Sequence, residues 1–471
     1  MPQAFQRKIG SSSEIFLTAA FLIALALSLQ GPGQACRAES TDTGAKVIFQ
    51  AESFPLSDGP SGVPGWTTWS QRDETRPQFF SSGLPNLGEA GCLGINGASN
   101  NSAHGCWRRV VSGIKPGSFY RFEAWYQALS VPYPRQQVLS RLDWLDSEGK
   151  RVHQPEYVRE ARGSAGWEKN EGVFKAPEEA SSVCIELYLS YCPQGTVWWD
   201  RISLAEVGDP GKRMVRVATV NFKPDREYDS AAKSVASYFP LVEQAGREGC
   251  DIVCLGEGIN MAGVRNAGYP DVAEPVPGPT TKKLGELARK HKMYIVAALG
   301  ERQGHAVYNT AVLIDRQGRL AGKYHKVQLP REEIEAGCTP GNTFPVFDTD
   351  FGRIGMMVCW DIQHIDPARA LAVQGAEIIF CPVWGGNPTL TKARAIENQI
   401  YLVTSSYSRS EPPTAIYGRW GDIIVQADKK PQLIHADIDL NEKSVEPWLG
   451  NMRDRFARER RADIKVTDLE R

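Results

Sequence analysis

The sequence predicts an all-β domain in the first half of the chain and an α/β domain in the second half. Between about residues 45 and 207, apolar and polar residues alternate in short runs that glycine- and proline-rich turns separate. Between about residues 214 and 471, short apolar runs alternate with stretches of helical periodicity. A period of two indicates strands with one buried face, and strands that alternate with helices indicate an α/β sheet. The polar, turn-rich segment 208–213 is the predicted linker.

The first half carries two clear strand patterns and a distinctive closing run. Tyr120, Phe122, Ala124 and Tyr126 alternate with polar neighbours, and residues 183–189 repeat the pattern. The closing run, residues 197–204, resembles the last strand of the jelly-roll domains found in carbohydrate-binding modules and galactose-binding-like folds. The resemblance implies a jelly-roll-like β-sandwich with carbohydrate as a partner.

Tryptophans are the residues of this half that could stack on sugar rings. The alternative is that they pack in the core or at its rim, which is the commoner role of such residues. Both interpretations apply to the same set, Trp66, Trp69, Trp125 and Trp144.

Composition limits the classes of partner. The chain has 471 residues and a net charge of −1 at pH 7, with 42% hydrophobic residues. This length allows two or three globular domains. Because positive charge is not in excess, we predict no nucleic-acid partner and no polybasic membrane surface.

The N-terminus predicts export. Arg7 and Lys8 precede an apolar stretch over residues 15–29, and small residues follow up to Ala35. A basic start, a short apolar core and small residues at the cleavage point are typical of a secretory signal peptide, here residues 1–35. Cleavage after Ala35 would leave Cys36 first, so a lipoprotein is an alternative, although the usual leucine before that cysteine is missing. An uncleaved anchor is the third option. We therefore expect a periplasmic, cell-surface or secreted protein.

Export changes how the ten cysteines are interpreted. The expectation is two disulfides among four cysteines of the first half, with connectivity left open: Cys92, Cys106, Cys184 and Cys192. The cysteines of the second half lie mostly inside apolar runs. No paired CxxC and no HExxH occurs, so the sequence supports no metal site, and no cofactor is predicted.

The pattern of the second half predicts an α/β domain with seven strands and three helices. The predicted strands cover residues 215–220, 251–255, 293–299, 307–315, 320–326, 354–358 and 376–381, and the predicted helices cover 231–249, 280–292 and 367–374.

Three polar residues come at the ends of these strands, where sites form in such sheets. Glu257 follows the strand 251–255, Lys326 ends the strand 320–326, and Cys359 follows the strand 354–358. A thiol at a sharp turn between strand and helix is a typical arrangement for a nucleophile near backbone amides. Taken singly, each residue has a plainer explanation: a core cysteine, a turn-capping glutamate and a solvated lysine.

The second half also resembles a known family in the order and spacing of its motifs. Over about residues 214–465 it is similar to the carbon–nitrogen hydrolase (nitrilase) superfamily. The matching segments occur in the family's order and spacing: Cys254-Leu-Gly-Glu257, Pro277-Gly-Pro279, Tyr308-Asn-Thr-Ala311, Gly322-Lys-Tyr-His-Lys326, Pro340-Gly341, Val358-Cys-Trp-Asp361, Gly375-Ala-Glu377 and Arg394-Ala-Ile-Glu-Asn398.

The resemblance implies a four-layer α-β-β-α sandwich and a Glu257-Lys326-Cys359 catalytic triad. It also implies a second glutamate that orients the lysine. We predict Glu335 for this role from its distance to Pro340-Gly341, while Glu332 and Glu333 remain alternatives. Family members often dimerise through faces of the sandwich, so a homodimer is a further expectation.

The chemistry explains these residue types. A thiol with a pKa near 8.5 is mostly protonated at neutral pH, and Glu257 can accept its proton during attack. Protonated Lys326 and the backbone N–H of Trp360 can then stabilise the oxyanion of the tetrahedral intermediate. The expected reaction is hydrolysis of a non-peptide carbon–nitrogen bond of the amide or carbamoyl type in a small molecule, through a thioester.

Several alternatives remain at this stage. The same fold supports nitrilases and N-acyltransferases, and a carbohydrate-binding scaffold with a degenerate hydrolase half is an option from another class. A different nucleophilic pair would join Cys359 to His364 or His325, as in papain-like proteases. Because His325 alternates with Lys326 along one strand, its side chain should face the other way.

Overall fold

The strand and helix bounds come from a computed structural model that describes residues 45–52, 54–83, 91–164, 166–224, 227–407 and 411–461. The predicted signal peptide and Cys36 lie outside the described residues. Within those ranges no helix is both long and apolar enough to cross a membrane.

The first half forms two antiparallel sheets. The strands are β1 Lys46–Ala51, β2 Thr67–Ser70, β3 Gln78–Gly83, β4 Gly91–Asn96, β5 His104–Ser112, β6 Phe119–Leu129, β7 Val138–Leu145, β8 Glu156–Tyr157, β9 Arg159–Ser164, β10 Trp167–Lys175, β11 Ser182–Ser190 and β12 Thr196–Val207. One sheet has the order β3-β4-β12-β6-β10-β9, with β1 also paired to β12, and the other has the order β2-β5-β11-β7-β8. The helical segments are α1 Pro134–Gln137 and two 3₁₀ turns, Pro60–Gly62 and Asp73–Thr75.

The predicted alternation creates the core between these sheets. In β6 the side chains of Tyr120, Phe122, Ala124 and Tyr126 are buried, while their neighbours are half-buried. They share one apolar cluster with residues of β11. The predicted strands are confirmed, and the likeness to a jelly roll stays a prediction.

The tryptophans considered for sugar stacking divide into two groups. Trp66 and Trp144 are buried in the core between the sheets, so neither ring offers a face to a sugar. Trp69 and Trp125 are half-buried, and the guanidinium carbons of Arg108 and Arg201 lie 4.8 Å and 5.0 Å from their respective ring centroids. The core-packing interpretation is therefore confirmed for Trp66 and Trp144, and an arginine guanidinium lies over the ring of each of the other two.

The expected disulfides are also wrong, because all four cysteines are free. Cys92 and Cys106 lie on strands of different sheets, and their neighbours Leu93 and Trp107 point into the shared core. Both thiols therefore face away from that core, on opposite sides of the sandwich. Cys184 likewise faces away from the core, whereas Cys192 belongs to it. The four thiols are therefore not arranged as two disulfides within the described residues.

The second half contains two six-stranded sheets and a small hairpin. Its strands are β13 Met214–Asn221, β14 Ile252–Cys254, β15 Tyr294–Gln303, β16 Ala306–Ile314, β17 Leu320–His325, β18 Val346–Asp348, β19 Arg353–Met356, β20 Ile378–Pro382, β21 Tyr401–Ser405, β22 Ala415–Tyr417, β23 Ile423–Gln426, β24 Gln432–Asp439, β25 Val445–Glu446 and β26 Gly450–Asn451. The orders are β17-β16-β15-β14-β13-β24 and β18-β19-β20-β21-β22-β23, and β25 pairs with β26.

The helices of this half, with one 3₁₀ helix at Cys359–Gln363, are α2 Ala231–Ala236, α3 Phe239–Arg247, α4 Tyr269–Val272, α5 Pro279–His291, α6 Arg331–Glu335, α7 Ile365–Val373, α8 Pro388–Asn398 and α9 Met452–Arg458. The helix predicted over 231–249 is two helices. Pro240 lies in the first turn of α3, where its ring excludes a continuous helix through the carbonyl of Ala236.

The two six-stranded sheets pack against each other, which explains why their strands are apolar on both faces. On β14, Ile252 and Cys254 join a cluster that includes Phe380 of β20 in the other sheet. Val253 of the same strand faces the opposite way and packs with Val242 of α3 and with residues of α5. The strands that carry the site are therefore held from both sides.

The C-terminal helix α9 connects the two halves. Asp454 accepts a hydrogen bond from Arg159 Nε at 2.6 Å, and Arg458 donates to the carbonyl oxygens of Val158 and Arg135. The described residues of the two halves cluster as one compact unit. The segment 208–213 has no regular structure, and its role as a domain boundary stays a prediction.

Candidate active site

The three residues predicted at strand ends converge in the buried region between the sheets. Glu257 follows β14, Lys326 follows β17, and Cys359 opens the 3₁₀ helix after β19. Their exposed fractions are 1%, 1% and 8%. Lys326 Nζ lies 3.2 Å from Glu257 Oε1, and the charges of both residues act on the Cys359 thiol. The structure therefore brings together the side chains that the sequence singled out.

Lys326 lies between two carboxylates. Its Nζ donates to Glu257 Oε1 at 3.2 Å and to Glu333 Oε1 at 2.5 Å. Burial by itself lowers the pKa of Lys326, but the charges of Glu257, Cys359 and Glu333 outweigh burial and raise the pKa above its ordinary value. The lysine is therefore held as an ammonium ion in a site with little water.

The prediction of Glu335 as the partner of Lys326 is wrong. The Glu335 side chain is 67% exposed and its carboxylate pairs with Arg331 at 3.6 Å. Glu333 makes the contact, while Glu332 also pairs with Arg331 at the surface. The pKa of Glu333 is raised, mainly by burial and also by the charge of Glu257, although Lys326 opposes the shift.

Asn309 is a site residue that the sequence reasoning did not single out. Its Nδ2 donates to Glu257 Oε1 at 2.8 Å and to Glu333 Oε2 at 3.4 Å. With Lys326 on the same oxygen, Glu257 Oε1 has two donors, while the buried Oε2 accepts no hydrogen bond from any described residue. A buried acceptor without a donor calls for an explanation, and a catalytic role is one of those known for such groups. Asn309 does lie within the segment Tyr308-Asn-Thr-Ala311 on which the resemblance partly rested.

Cys359 has a strained backbone and a protonated thiol. Its φ is +46°, in the left-handed region that non-glycine residues seldom adopt and that recurs at functional turns. The Sγ atom donates to the Gly385 carbonyl oxygen at 3.5 Å. Burial, followed by the charge of Glu257, raises the pKa of the thiol to about 12, while Lys326 acts in the opposite direction. The nucleophile therefore needs a base to remove its proton.

Asp361 fixes the turn that carries Cys359. This buried carboxylate accepts from the backbone N–H of Val358 at 2.9 Å and of Gln328 at 2.8 Å, and from the Tyr324 hydroxyl at 2.8 Å. Burial raises its pKa to about 6. Because Gln328 comes two residues after Lys326, Asp361 connects the segment of the cation to the segment of the thiol.

Arg394 supports the same turn from α8. It is 2% exposed, and it donates to the carbonyl oxygens of Ile362 at 3.0 Å and Gln363 at 3.1 Å. These bonds satisfy carbonyl groups at the end of the 3₁₀ helix that would otherwise lack a donor.

Three further residues were candidates for a role beside the Cys359 thiol: Trp360, His364 and His325. The side chain of Trp360 is 40% exposed and its ring meets that of His364 edge to face at 6.3 Å. His325 is engaged elsewhere, because its Nε2 pairs with Glu301 at 2.9 Å and its ring stacks on Tyr308 at 3.9 Å. The geometry therefore offers His325 no role beside Cys359, and the contribution of the Trp360 N–H stays a prediction.

A pair of variants on α6 tests the assignment of the second glutamate. Glu333→Gln should lower kcat/KM by about 10- to 100-fold, because a charge-assisted bond worth about 1.5–3 kcal/mol to the site ammonium is lost. Glu335→Gln, on the same helix, should stay within about twofold of wild type, because this side chain is solvated. Steady-state kinetics on both variants is the measurement, and equal losses would contradict the assignment.

Comparison with known proteins identifies the class. Residues 216–444 match the carbon-nitrogen hydrolase family model. Residues 216–444 are therefore a carbon–nitrogen hydrolase domain, and the protein is an enzyme of that class.

The chain is similar to two omega-amidases and to one solved amidase structure. The chain is 29% identical over 226 residues to omega-amidase NIT2 of Bos taurus, covering 43% of this chain and 81% of that protein. It is 26% identical over 257 residues to omega-amidase NIT2 of Homo sapiens, covering 49% and 90%. A solved variant of the Nesterenkonia AN1 amidase, from the nitrilase superfamily, aligns with 20% identity and a TM-score of 0.46 over 55% of this chain and 98% of that one.

Proposed function

We propose that this enzyme is an amidase that hydrolyses a small-molecule amide through a thioester at Cys359. The observation that carries the proposal is the unpartnered Oε2 of Glu257 in a buried cluster with Lys326 and a thiol of raised pKa. A base with a free oxygen, a fixed cation and a thiol are the three groups that acyl transfer requires. The similarity to omega-amidases supports amides over other substrates.

Acylation begins with proton transfer from the Cys359 thiol to Glu257. The sulfur attacks the carbonyl carbon, and the carbonyl oxygen becomes an oxyanion. Lys326 and the Trp360 N–H stabilise that charge, in a site where burial strengthens electrostatic interactions. When the tetrahedral intermediate collapses, Glu257 returns its proton to the leaving nitrogen, and ammonia or an amine departs.

Deacylation reuses the same groups. Glu257 accepts a proton from water, which attacks the thioester, and the second oxyanion forms beside Lys326. When this intermediate collapses, the bond between carbon and the Cys359 sulfur breaks, Glu257 returns its proton to the sulfur, and the carboxylic acid leaves. In this scheme Glu333 is a positioning residue, since it holds the ammonium ion without reaching the reacting atoms, and Asn309 orients Glu257.

Other functions on this fold predict different products. A nitrilase would release ammonia from a nitrile, and an N-acyltransferase would pass the acyl group to an amine. A scaffold with a degenerate hydrolase half would need neither a buried cation nor a base. The cost of burying Lys326 with two carboxylates argues against such a scaffold.

The remaining features of the proposal concern architecture and location. We propose a four-layer α-β-β-α arrangement for 214–471, which the packing of helices on the outer face of one sheet supports. Three further proposals rest on the sequence alone. They are a jelly-roll-like domain over 45–207 that contacts carbohydrate, export through residues 1–35, and a homodimer.

A substrate panel with mass detection tests the activity. The full chain is incubated with primary amides, N-carbamoyl compounds and nitriles, and both released ammonia and intact protein mass are measured. Amides should give ammonia together with a transient mass increase equal to the acyl group, lost on treatment with hydroxylamine. Hydrolysis of nitriles alone would contradict the amidase proposal, and a mass increase that persists in Cys359→Ala would place the acyl group elsewhere.

A further inference from the structure

A cavity of about 870 Å³ lies where the β-sandwich half meets the hydrolase half. Its walls include Arg159 and Glu160 from β9, the end of α7 and most of α9. None of Glu257, Lys326 and Cys359 lines it. The volume is within the range of about 300–1,000 Å³ that is usual for small-molecule sites.

The charge of this cleft differs from that of the whole chain. Nine arginines and five carboxylates line it, and no lysine does, although the chain as a whole has a net charge of −1. Seven of these arginines interact with another group: Arg135 with Glu160, Arg159 with Asp454, Arg353 with Asp348, Arg453 with Glu377, Arg455 with Glu459, Arg458 with backbone carbonyl groups, and Arg461 as well. The positive charge is therefore local, and only part of it is neutralised.

Arg453 is a largely buried arginine of the cleft that donates no hydrogen bond to a described residue. Its side chain is 13% exposed, and its sole ion pair is with Glu377 at 3.5 Å, a carboxylate that Arg213 already binds at 2.6 Å. The buried Nη1 atom makes this ion pair but no hydrogen bond to a described residue. Burial, with Arg159 and Arg419 nearby, lowers the pKa of Arg453 to about 9. A buried guanidinium of this kind is costly unless an acceptor satisfies it.

Two further arginines extend this arrangement toward solvent. Arg369 on α7 is half-buried, Arg460 after α9 is exposed, and neither donates a hydrogen bond to a described residue. Both line the same cleft as Arg453. Their charges repel one another, which contributes to a lowered pKa of Arg460 after the larger effect of burial.

We propose that this cleft binds a small polyanion, with Arg453 as its central donor and Arg369 and Arg460 at its mouth. Guanidinium groups bind phosphate, sulfate and carboxylate oxygens in pairs, which suits a site lined by arginine without lysine. The alternative role for the arginines is to bind the carbonyl groups that end the helices, as Arg353 does with Gln374 at 3.1 Å. That role does not apply to Arg453, because it makes no such bond.

Calorimetric titration of the full chain with pyrophosphate tests the proposal. Sulfate and citrate at equal ionic strength distinguish phosphate, sulfate and carboxylate ligands, and sodium chloride controls for screening. Pyrophosphate should bind saturably with one site per chain. Arg453→Gln should weaken it by about tenfold or more, and Arg369→Gln, at a more exposed position, by a smaller factor. Arg319→Gln, a 73% exposed arginine outside the cleft, should bind as wild type does.

The unfolding temperature without added anion separates a binding role from a structural one. Because Arg453 has no hydrogen bond to lose, Arg453→Gln should unfold at or above the wild-type temperature and should lose the rise that pyrophosphate causes in wild type. Unsaturable heats, or affinities for Arg453→Gln and Arg369→Gln equal to that of Arg319→Gln, would overturn the proposal. The proposal would also be overturned if Arg453→Gln had a lowered unfolding temperature and an unchanged pyrophosphate affinity. In that case the role of Arg453 would be its ion pair with Glu377 and not the binding of an anion.

Discussion

Cys359→Ala is expected to abolish amide turnover while leaving the protein folded. Removing the nucleophile eliminates the covalent route, and in other enzymes such a change lowers kcat by about 10⁶-fold. The free energy of unfolding should change by no more than about 1 kcal/mol, because one buried sulfur is lost while the turn keeps its backbone conformation. Ammonia release and urea denaturation are the measurements.

A second buried cysteine provides the matched control. Cys250→Ala removes a thiol that packs in the cluster between β14 and α3, away from the site residues. It should lower stability by a similar or larger amount and retain the wild-type kcat. If the two variants had the same activity, Cys359 would not be the nucleophile.

Lys326→Met is expected to reduce both activity and stability. The variant keeps most of the side-chain volume but removes the only cation that contacts Glu257 and Glu333 among the described residues. Loss of one oxyanion-stabilising group costs about 2.7–4 kcal/mol of transition-state stabilisation, a factor of about 10²–10³ in kcat. The free energy of unfolding should fall by about 3–5 kcal/mol, because two carboxylates remain buried without their partner.

Lys323→Met separates this effect from a general loss of charge on the same strand. Lys323 pairs with Glu301, and its side chain is 31% exposed. The variant should retain kcat within about threefold, since this ion pair is partly solvated. If Lys326→Met retained near-normal rates while His364→Ala abolished them, the cysteine–histidine alternative would replace the proposed triad.

The positions of the three strand-end residues could be predicted because each follows an apolar run that ends at a turn. Their convergence depends on two sheets packing face to face, and the order of the family motifs indicated that arrangement. The choice among the glutamates could not be made in this way. Glu333 and Glu335 are two positions apart on α6, so their side chains point roughly 200° apart, and the residue at which the helix begins decides which one faces Lys326.

Asn309 and the cysteines illustrate a different limit. An asparagine within a strand has no periodicity that separates a site residue from a buried polar one, so only its contact with Glu257 identifies it. Sequence spacing placed Cys184 close to Cys192 along the chain but did not reveal that the two thiols lie on different sides of one sheet. In both cases the missing information was the direction of a side chain.

The free cysteines also affect how the enzyme can be made. Nine thiols, from Cys92 to Cys381, are free and buried within the described residues, on faces where they pack as small apolar groups. The described part of the chain therefore contains no bond that an oxidant or a disulfide isomerase would have to form. In this part of the chain, material made in a reducing cytosol and material made in an oxidising space should contain the same nine free thiols.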